Sequence, residues 1–301
     1  LYWIRGGYIP TGEIKMYKIK YHFNFGYKLL LSGLLNTIHV NLYAPLIGKY
    51  YSPTQVGYFS RAHSFSSVPI NLLTSIFSKV TFPVLAEVQH NEEKFILNFR
   101  KILKLILFVV SPIMCLLFIT TSSLIELLLT ARWLSMAPYF KWFAICGIFL
   151  PLHLYYLNVL KIKGRSELFL KAEIIKVSFG ILILIITVQM GLMFIVYGIL
   201  LSNIISLFIN QYFCRDVINY SFISQWTDII TILLPAVLSL IITLQVKPFY
   251  INTYNILEIT YSTVIYIYSY LSFNFLLNLR FLREIKKLLY NMRNVIQNKH
   301  V

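Results

Sequence analysis

The chain has 301 residues, of which 58% are hydrophobic and 13% charged, and its formal net charge is +16. Soluble domains carry about 45–50% apolar and about 25% charged residues, so this composition excludes a soluble globular protein. The mean hydropathy of +0.70 predicts that lipid surrounds most of the chain.

Eight apolar runs are long enough to cross a membrane, which takes about 20 residues of helix. In chain order they cover residues 28–48, 66–86, 103–129, 138–160, 168–190, 192–214, 227–246 and 256–279. The runs are continuous and lack the alternating pattern of a membrane β-barrel. We therefore predict an all-α polytopic membrane helix bundle with eight spans. Three cysteines, Cys115, Cys146 and Cys214, fall in or beside these runs and are expected to be small buried hydrophobic residues.

The basic residues alternate between loops in a pattern that predicts orientation. Most of the 27 Lys and Arg residues lie before the first run, in every second loop after it, and in the tail. Cytoplasmic loops are enriched in Lys and Arg, so both ends of the chain are predicted to be cytoplasmic. The positive charge is thus explained by topology, and no nucleic-acid partner is expected.

The first run carries a stripe of polar residues. Ser32, Asn36, His39 and Tyr43 follow the spacing i, i+4, i+7, i+11. At about 100° per residue these positions share one helix face. Polar groups within a span mark a surface that faces a partner helix or a water-filled cavity. The stripe therefore lines a cavity or packs against a neighbouring helix, and the sequence leaves both open.

The second run carries a longer stripe and a clear helix start. Ser52, Pro53 and Gln55 form the pattern of a capping box with proline in the first turn, so the helix is predicted to begin well before residue 66. The polar residues that share one side of this helix are Arg61, Ser64, Ser67, Asn71, Ser75, Ser78 and Lys79.

Lys79 is the strongest single candidate for a functional residue, because a cation within a span is costly unless it faces a partner or water. The alternative is that its long side chain reaches the membrane interface. Pro83 cannot donate a hydrogen bond to the carbonyl of Lys79, and Pro69 interrupts the same helix, so both are predicted hinges. Arg61 is either a cavity residue or an anchor at the outer interface.

No catalytic motif occurs in the sequence, which has no HExxH, P-loop or GxSxG pattern. The sequence also offers no metal-ligand spacing and no cofactor motif. Glu173 and Lys176 are spaced i, i+3 and are predicted to form a local ion pair. We therefore expect a protein that is not an enzyme, with no cofactor and no metal.

Residues 47–65, IGKYYSPTQVGYFSRAHSF, resemble the outer loop and following helix of the Wzx-type polysaccharide flippases. These flippases are part of the MATE-like multidrug/oligosaccharidyl-lipid/polysaccharide exporter superfamily. Later stretches match in order: KVTFPV at 79–84, Trp133 with Ala137 and Pro138, KGRSEL at 163–168 and LKAEIIK at 170–176. Their order and spacing carry the resemblance.

The resemblance implies a two-lobed transporter of which this chain is the C-terminal part. Residues 28–214 would be the second six-helix lobe and residues 215–279 two peripheral helices. Residues 1–27 would be a basic cytoplasmic connector, and residues 280–301 a basic cytoplasmic tail. The N-terminal lobe would be missing from the chain.

The resemblance also implies a function: alternating-access transport of an undecaprenyl-pyrophosphate-linked oligosaccharide across a bacterial cytoplasmic membrane. This oligosaccharide would be a repeat unit of O-antigen, capsule or exopolysaccharide, and with membrane lipid it is the expected partner. Lys79, Arg61 and His39 would attract the pyrophosphate or acidic sugars. The residues expected to hydrogen-bond the glycan in the cavity are Asn36, Tyr43, Asn71 and Ser75.

Two other functions remain open. A cation-coupled drug exporter of the MATE type would use an acidic residue in the cavity, and Glu126 is the only candidate in the first three spans. A membrane polymerase or ligase acting on lipid-linked glycans is the second.

Overall fold

The computed structural model of the chain describes residues 16–249, 255–279 and Arg283. In chain order its helices are α1 (Met16–Tyr50), α2 (Pro53–Glu87), α3 (Glu92–Leu129), α4 (Ala137–Cys146), α5 (Phe149–Ile162), α6 (Ser166–Thr187), α7 (Leu192–Arg215), α8 (Phe222–Val246) and α9 (Asn255–Leu277). Within these ranges there is no strand, so the predicted all-α bundle is confirmed. Residues 1–15 of the predicted connector, and the predicted tail apart from Arg283, lie outside the described residues.

Each of the eight predicted spans is helical, and six segments are long and apolar enough to cross a membrane. These six are His22–Tyr50, Pro53–Glu87, Glu92–Leu129, Ala131–Ile162, Leu192–Arg215 and Phe222–Phe249. The other two predicted spans correspond to α6 and α9. α6 carries Lys171, Glu173 and Lys176 among its apolar residues, and α9 is rich in Tyr and Ser.

α1, α2 and α3 each begin more than ten residues before their apolar runs. α1 already includes Met16, so residues 16–27 of the predicted connector are helical. α2 begins at Pro53 with the predicted capping box. The backbone N–H of Gln55 donates to Ser52 Oγ at 3.4 Å, and the backbone N–H of Ser52 donates to Gln55 Oε1 at 3.2 Å. This reciprocal pair satisfies two backbone donors at the helix start.

The fourth predicted span is broken in the middle. α4 ends at Cys146 and α5 begins at Phe149. Pro151 has no N–H to donate to the carbonyl of Gly147, so the helical ladder is interrupted there. A Cβ added at Gly147 would lie 2.7 Å from Ile70 Cδ1, which shows how closely the break packs against α2.

The segment formed by α4 and α5 is the most deeply buried of the candidate spans. It packs against α2, α3 and α7, while α1 packs mainly against α6. α8 and α9 pack against α3 and against each other. All three cysteines are buried and free, as predicted.

Polar contacts join α9 to α3 and to α8. The Tyr270 hydroxyl donates to the carbonyl of Phe108 at 2.9 Å, and Asn278 Nδ2 donates to the carbonyl of Thr231 at 3.0 Å. Such hydrogen bonds hold membrane helices together where apolar burial gives little net gain.

Candidate functional site

A recess of about 470 Å³ lies between α1, α2, α5, α6 and α7. α1 and α2 form one wall with six polar side chains: Asn36, His39, Tyr43, Ser60, His63 and Ser64. Aliphatic side chains and Phe59 complete this wall. The volume is in the range of small-molecule sites, which are typically apolar pockets with a few placed polar groups.

His39 is held at this wall by a close approach between α1 and α6. A Cβ added at Gly180 would lie only 2.4 Å from His39 Nε2, so the ring occupies space that a larger residue would fill. The ring also meets Tyr43 edge to face, with centroids 5.5 Å apart. The predicted stripe on the first helix therefore does share one face. Ser32 lies deeper in the packing and donates to the carbonyl of Lys28 at 2.7 Å.

Among the described residues that line the recess, the charged side chains are those of one ion pair. Lys176 donates a hydrogen bond to Glu173 on the same turn of α6, as predicted from their spacing. Their side chains are 10% and 8% exposed. The nearby Lys161 lies outside the recess, with its ammonium 5.2 Å from the centroid of the Phe169 ring. The recess thus contains one positive and one negative charge at close range.

The wall opposite α1 and α2 carries buried polar atoms of α5 and α7. His153 Nδ1 lies 3.3 Å from Asn210 Nδ2. Nε2 of His153 and Oγ of Ser202 are buried, and neither has a hydrogen-bond partner among the described residues. Asn203 and Ser206 line the same wall. The sequence showed these residues as polar positions within spans but gave no indication that they meet.

The predicted site residues separate into two groups. Asn36, His39 and Tyr43 line the recess, whereas four residues of α2 do not, namely Arg61, Asn71, Ser75 and Lys79. All four are exposed on the surface of the described bundle. The Arg61 guanidinium lies 5.6 Å from the centroid of the Trp133 ring, a cation–π contact near the end of the bundle. Pro69 and Pro83 both lie within α2, which continues through them.

α2 therefore has two distinct faces. Its buried residues recur every three or four positions and pack into the bundle; they include Phe59, Ala62, Ile70 and Leu73. The polar stripe of α2, defined here as Arg61, Asn71, Ser75 and Lys79, points away from this packed face. A helix in a membrane that is polar on its outer face needs water or a polar partner on that side.

The comparisons with known proteins agree with this architecture. A family model described as "Polysaccharide biosynthesis protein" matches residues 1–138. An uncharacterized membrane protein in the cps region of Klebsiella pneumoniae is 24% identical over 266 residues, which cover 86% of this chain and 55% of that protein. The chain thus spans about half the length of this relative.

Two further relatives carry functional names. The lipopolysaccharide biosynthesis protein WzxC of Escherichia coli is 24% identical over 70% of this chain and 43% of its own length. The teichuronic acid biosynthesis protein TuaB of Bacillus subtilis is 26% identical over 56% of this chain and 35% of its own length.

The fold also matches a solved structure. The lipid II flippase MurJ, in an inward closed conformation, superposes with a TM-score of 0.68 at 16% identity, over 87% of this chain and 55% of MurJ. The resemblance drawn from the sequence motifs is confirmed: the chain is similar to WzxC and to the polysaccharide-biosynthesis family model, and it has the fold of MurJ.

Proposed function

We propose that the chain forms part of a transporter that moves a lipid-linked oligosaccharide across a bacterial cytoplasmic membrane by alternating access, without covalent chemistry. The polar stripe of α2 is the observation that carries this proposal. Asn71, Ser75 and Lys79 are exposed although they lie inside a candidate span. Lipid at these positions would leave an ammonium and two polar groups unsolvated, so we infer a water-filled lumen beside α2.

The lumen requires a second wall outside the described bundle. We propose that residues 28–214 are one lobe of a two-lobed transporter, and that an N-terminal lobe faces α1 and α2. Residues 215–279 would then be peripheral helices, in keeping with their packing on α3 away from the recess. Both ends of the chain would be cytoplasmic, as the alternation of basic loops indicates.

The residues proposed to line the lumen would have different roles, according to their chemistry. Lys79 and Arg61 would attract the pyrophosphate or acidic sugars, because their charges lie on the lumen side of α2. Pro69 and Pro83 would allow α2 to bend between inward- and outward-open states, since each lacks an N–H for the helical ladder. Hydrogen bonds to the glycan would come from Asn36, Tyr43, Asn71 and Ser75. His39, which the resemblance grouped with Lys79 and Arg61, lines the recess instead, so we assign it to the glycan as well.

Site-directed variants of the gene in its own strain test this proposal. Lys79→Ala should reduce surface polysaccharide at least tenfold while the chain remains at its normal level in the membrane. Lys171→Ala is the matched control, because Lys171 is an exposed lysine of α6 that does not line the recess. Unchanged polysaccharide with Lys79→Ala would contradict the role of Lys79.

The two alternative functions have less support from the site. The acidic residue required of a drug exporter would be Glu126, which is exposed and outside the recess, or Glu173, which is already paired with Lys176. Resistance to cationic drugs that is lost on deletion would favour that function. Single repeat units accumulating on the outer leaflet would favour a polymerase or ligase.

A further inference from the structure

The recess differs in charge from the polar stripe of α2. The stripe carries Lys79 and Arg61, for which the structure gives no acidic partner among the described residues. In the recess, by contrast, Lys176 is neutralised by Glu173. A pyrophosphate entering the recess would have to come close to the Glu173 carboxylate, and like charges at short range in a low-dielectric site repel strongly. The recess is therefore unsuited to the charged part of a lipid-linked glycan.

The hydrogen-bonding groups of the recess suit a polyhydroxy compound. Hydroxyls both donate and accept, so they can pair with a carboxylate, an ammonium, an amide and an imidazole. Glu173 and Lys176 provide the first two, Asn203 the third and His153 the fourth. Phe59 and the aliphatic side chains supply the apolar surface that such sites also contain.

Two buried atoms indicate that the recess is built to hold a polar ligand. His153 is 8% exposed, and its Nε2 has no hydrogen-bond partner among the described residues. The same is true of Ser202 Oγ, on the neighbouring helix. Buried polar atoms are rarely left unpaired, because each one costs about 1–3 kcal/mol. A ligand that fills the recess would satisfy both.

We infer that the recess binds an uncharged sugar residue of the transported glycan, while the pyrophosphate stays at the polar stripe of α2. This inference rests on the proposed function and adds a division of the substrate between two surfaces of one lobe. The sugar's hydroxyls bond to the Glu173–Lys176 pair and to Asn203, and its ring lies against the apolar part of the wall.

A binding experiment with two lipids tests the division. The full chain is placed in nanodiscs and titrated with undecaprenyl pyrophosphate, and separately with the glycan-bearing form of that lipid extracted from the strain that carries the gene. The wild-type chain should bind the glycan-bearing lipid more tightly. Asn203→Ala and Ser202→Ala should each weaken its binding about fivefold, the effect of losing one hydrogen bond, and leave undecaprenyl pyrophosphate unaffected.

The unfolding temperature of each variant in the nanodisc reports that it is folded, independently of either lipid. The control variant is Thr260→Ala, because Thr260 is exposed on α9 and its hydroxyl donates only to the carbonyl of Ile256, at 2.8 Å. Equal loss of both lipids in the recess variants would show that the recess holds the pyrophosphate, and no loss would show that it holds neither. Either result overturns the inference. A wild-type chain that binds neither lipid would contradict the proposed function itself.

Discussion

Asp228 on α8 accepts two hydrogen bonds from Arg100 on α3, at 2.7 Å from Nε and 3.1 Å from Nη2. Lys104 lies 3.0 Å from the same carboxylate, and the Tyr220 hydroxyl also donates to it. Burial, together with the hydrogen bond to Asp228, raises the pKa of Tyr220 above its ordinary value, so the phenol remains a donor. These contacts form a clamp, consisting of Asp228, Arg100, Lys104 and Tyr220, that fastens α8 to α3.

Asp228→Asn should destabilise the chain by about 1–3 kcal/mol, because Arg100 and Lys104, whose side chains are 43% and 24% exposed, then face a neutral amide. Thermal unfolding of the purified chain in detergent measures this effect. Asp216→Asn is the matched control, since Asp216 pairs with Arg215 at 3.2 Å but its side chain is 78% exposed. The control should change stability by about 0–1 kcal/mol. Equal effects of the two variants would contradict the clamp.

A second ion pair holds α9 near the other end of the last two helices. Lys247 lies 2.8 Å from Glu258 and also donates to the carbonyl of Ile119 at 2.6 Å. Glu258→Gln should therefore destabilise the chain less than Asp228→Asn, because Lys247 keeps one acceptor and the new amide oxygen provides another. The same unfolding measurement compares the two variants. A larger loss with Glu258→Gln would show that the carboxylate charge is essential there.

The ion pairs made by Asp228 and Glu258 could not be predicted from the sequence. The apolar runs predicted all eight spans, because length and hydrophobicity are local properties, but they did not predict the break between α4 and α5. Arg100 and Lys104 were interpreted only as topogenic charges of a cytoplasmic loop. Their partner Asp228 lies more than a hundred positions later in the chain, so no spacing rule connects it with them. The clamp depends on how α8 packs on α3, which is a tertiary property.

Gly180→Ala should destabilise the chain by about 1–3 kcal/mol, because the new methyl group would overlap the His39 ring and force α1 away from α6. The double variant with His39→Ala should recover most of this loss. Gly33→Ala is the control, since a Cβ at Gly33 would meet no atom within 4 Å among the described residues. Equal effects of Gly180→Ala and Gly33→Ala on the unfolding temperature would contradict the close packing of His39.

The Glu173–Lys176 pair allows structural and functional effects to be separated. Lys176→Met alone should destabilise the chain by about 3–5 kcal/mol, because it leaves the buried Glu173 carboxylate unpaired. The double variant Lys176→Met with Glu173→Gln should regain most of that stability. We expect the double variant to export less polysaccharide all the same, because the recess has lost two hydrogen-bonding charges. Wild-type export by a stable double variant would show that the pair is only structural.

Only part of the candidate site could be predicted from the sequence. The stripe with His39 on α1 and the ion pair on α6 follow from spacing within a single helix. The recess could not be predicted, because it depends on α5, α6 and α7 meeting α1 and α2. His153 and Asn203 fall within separate apolar runs of the sequence, which does not show that they meet. Only their position across the recess from His39 identifies them as candidates for binding.

The proposed transporter, of which this chain would form part, carries a lipid-linked glycan to the outer leaflet. The most direct measurement is the fraction of that lipid accessible to a membrane-impermeant glycan oxidant in spheroplasts, with and without the gene. We predict that deletion leaves the lipid-linked glycan present but almost wholly inaccessible, and that the intact gene restores access. An accessible fraction that is unchanged by deletion would contradict the account.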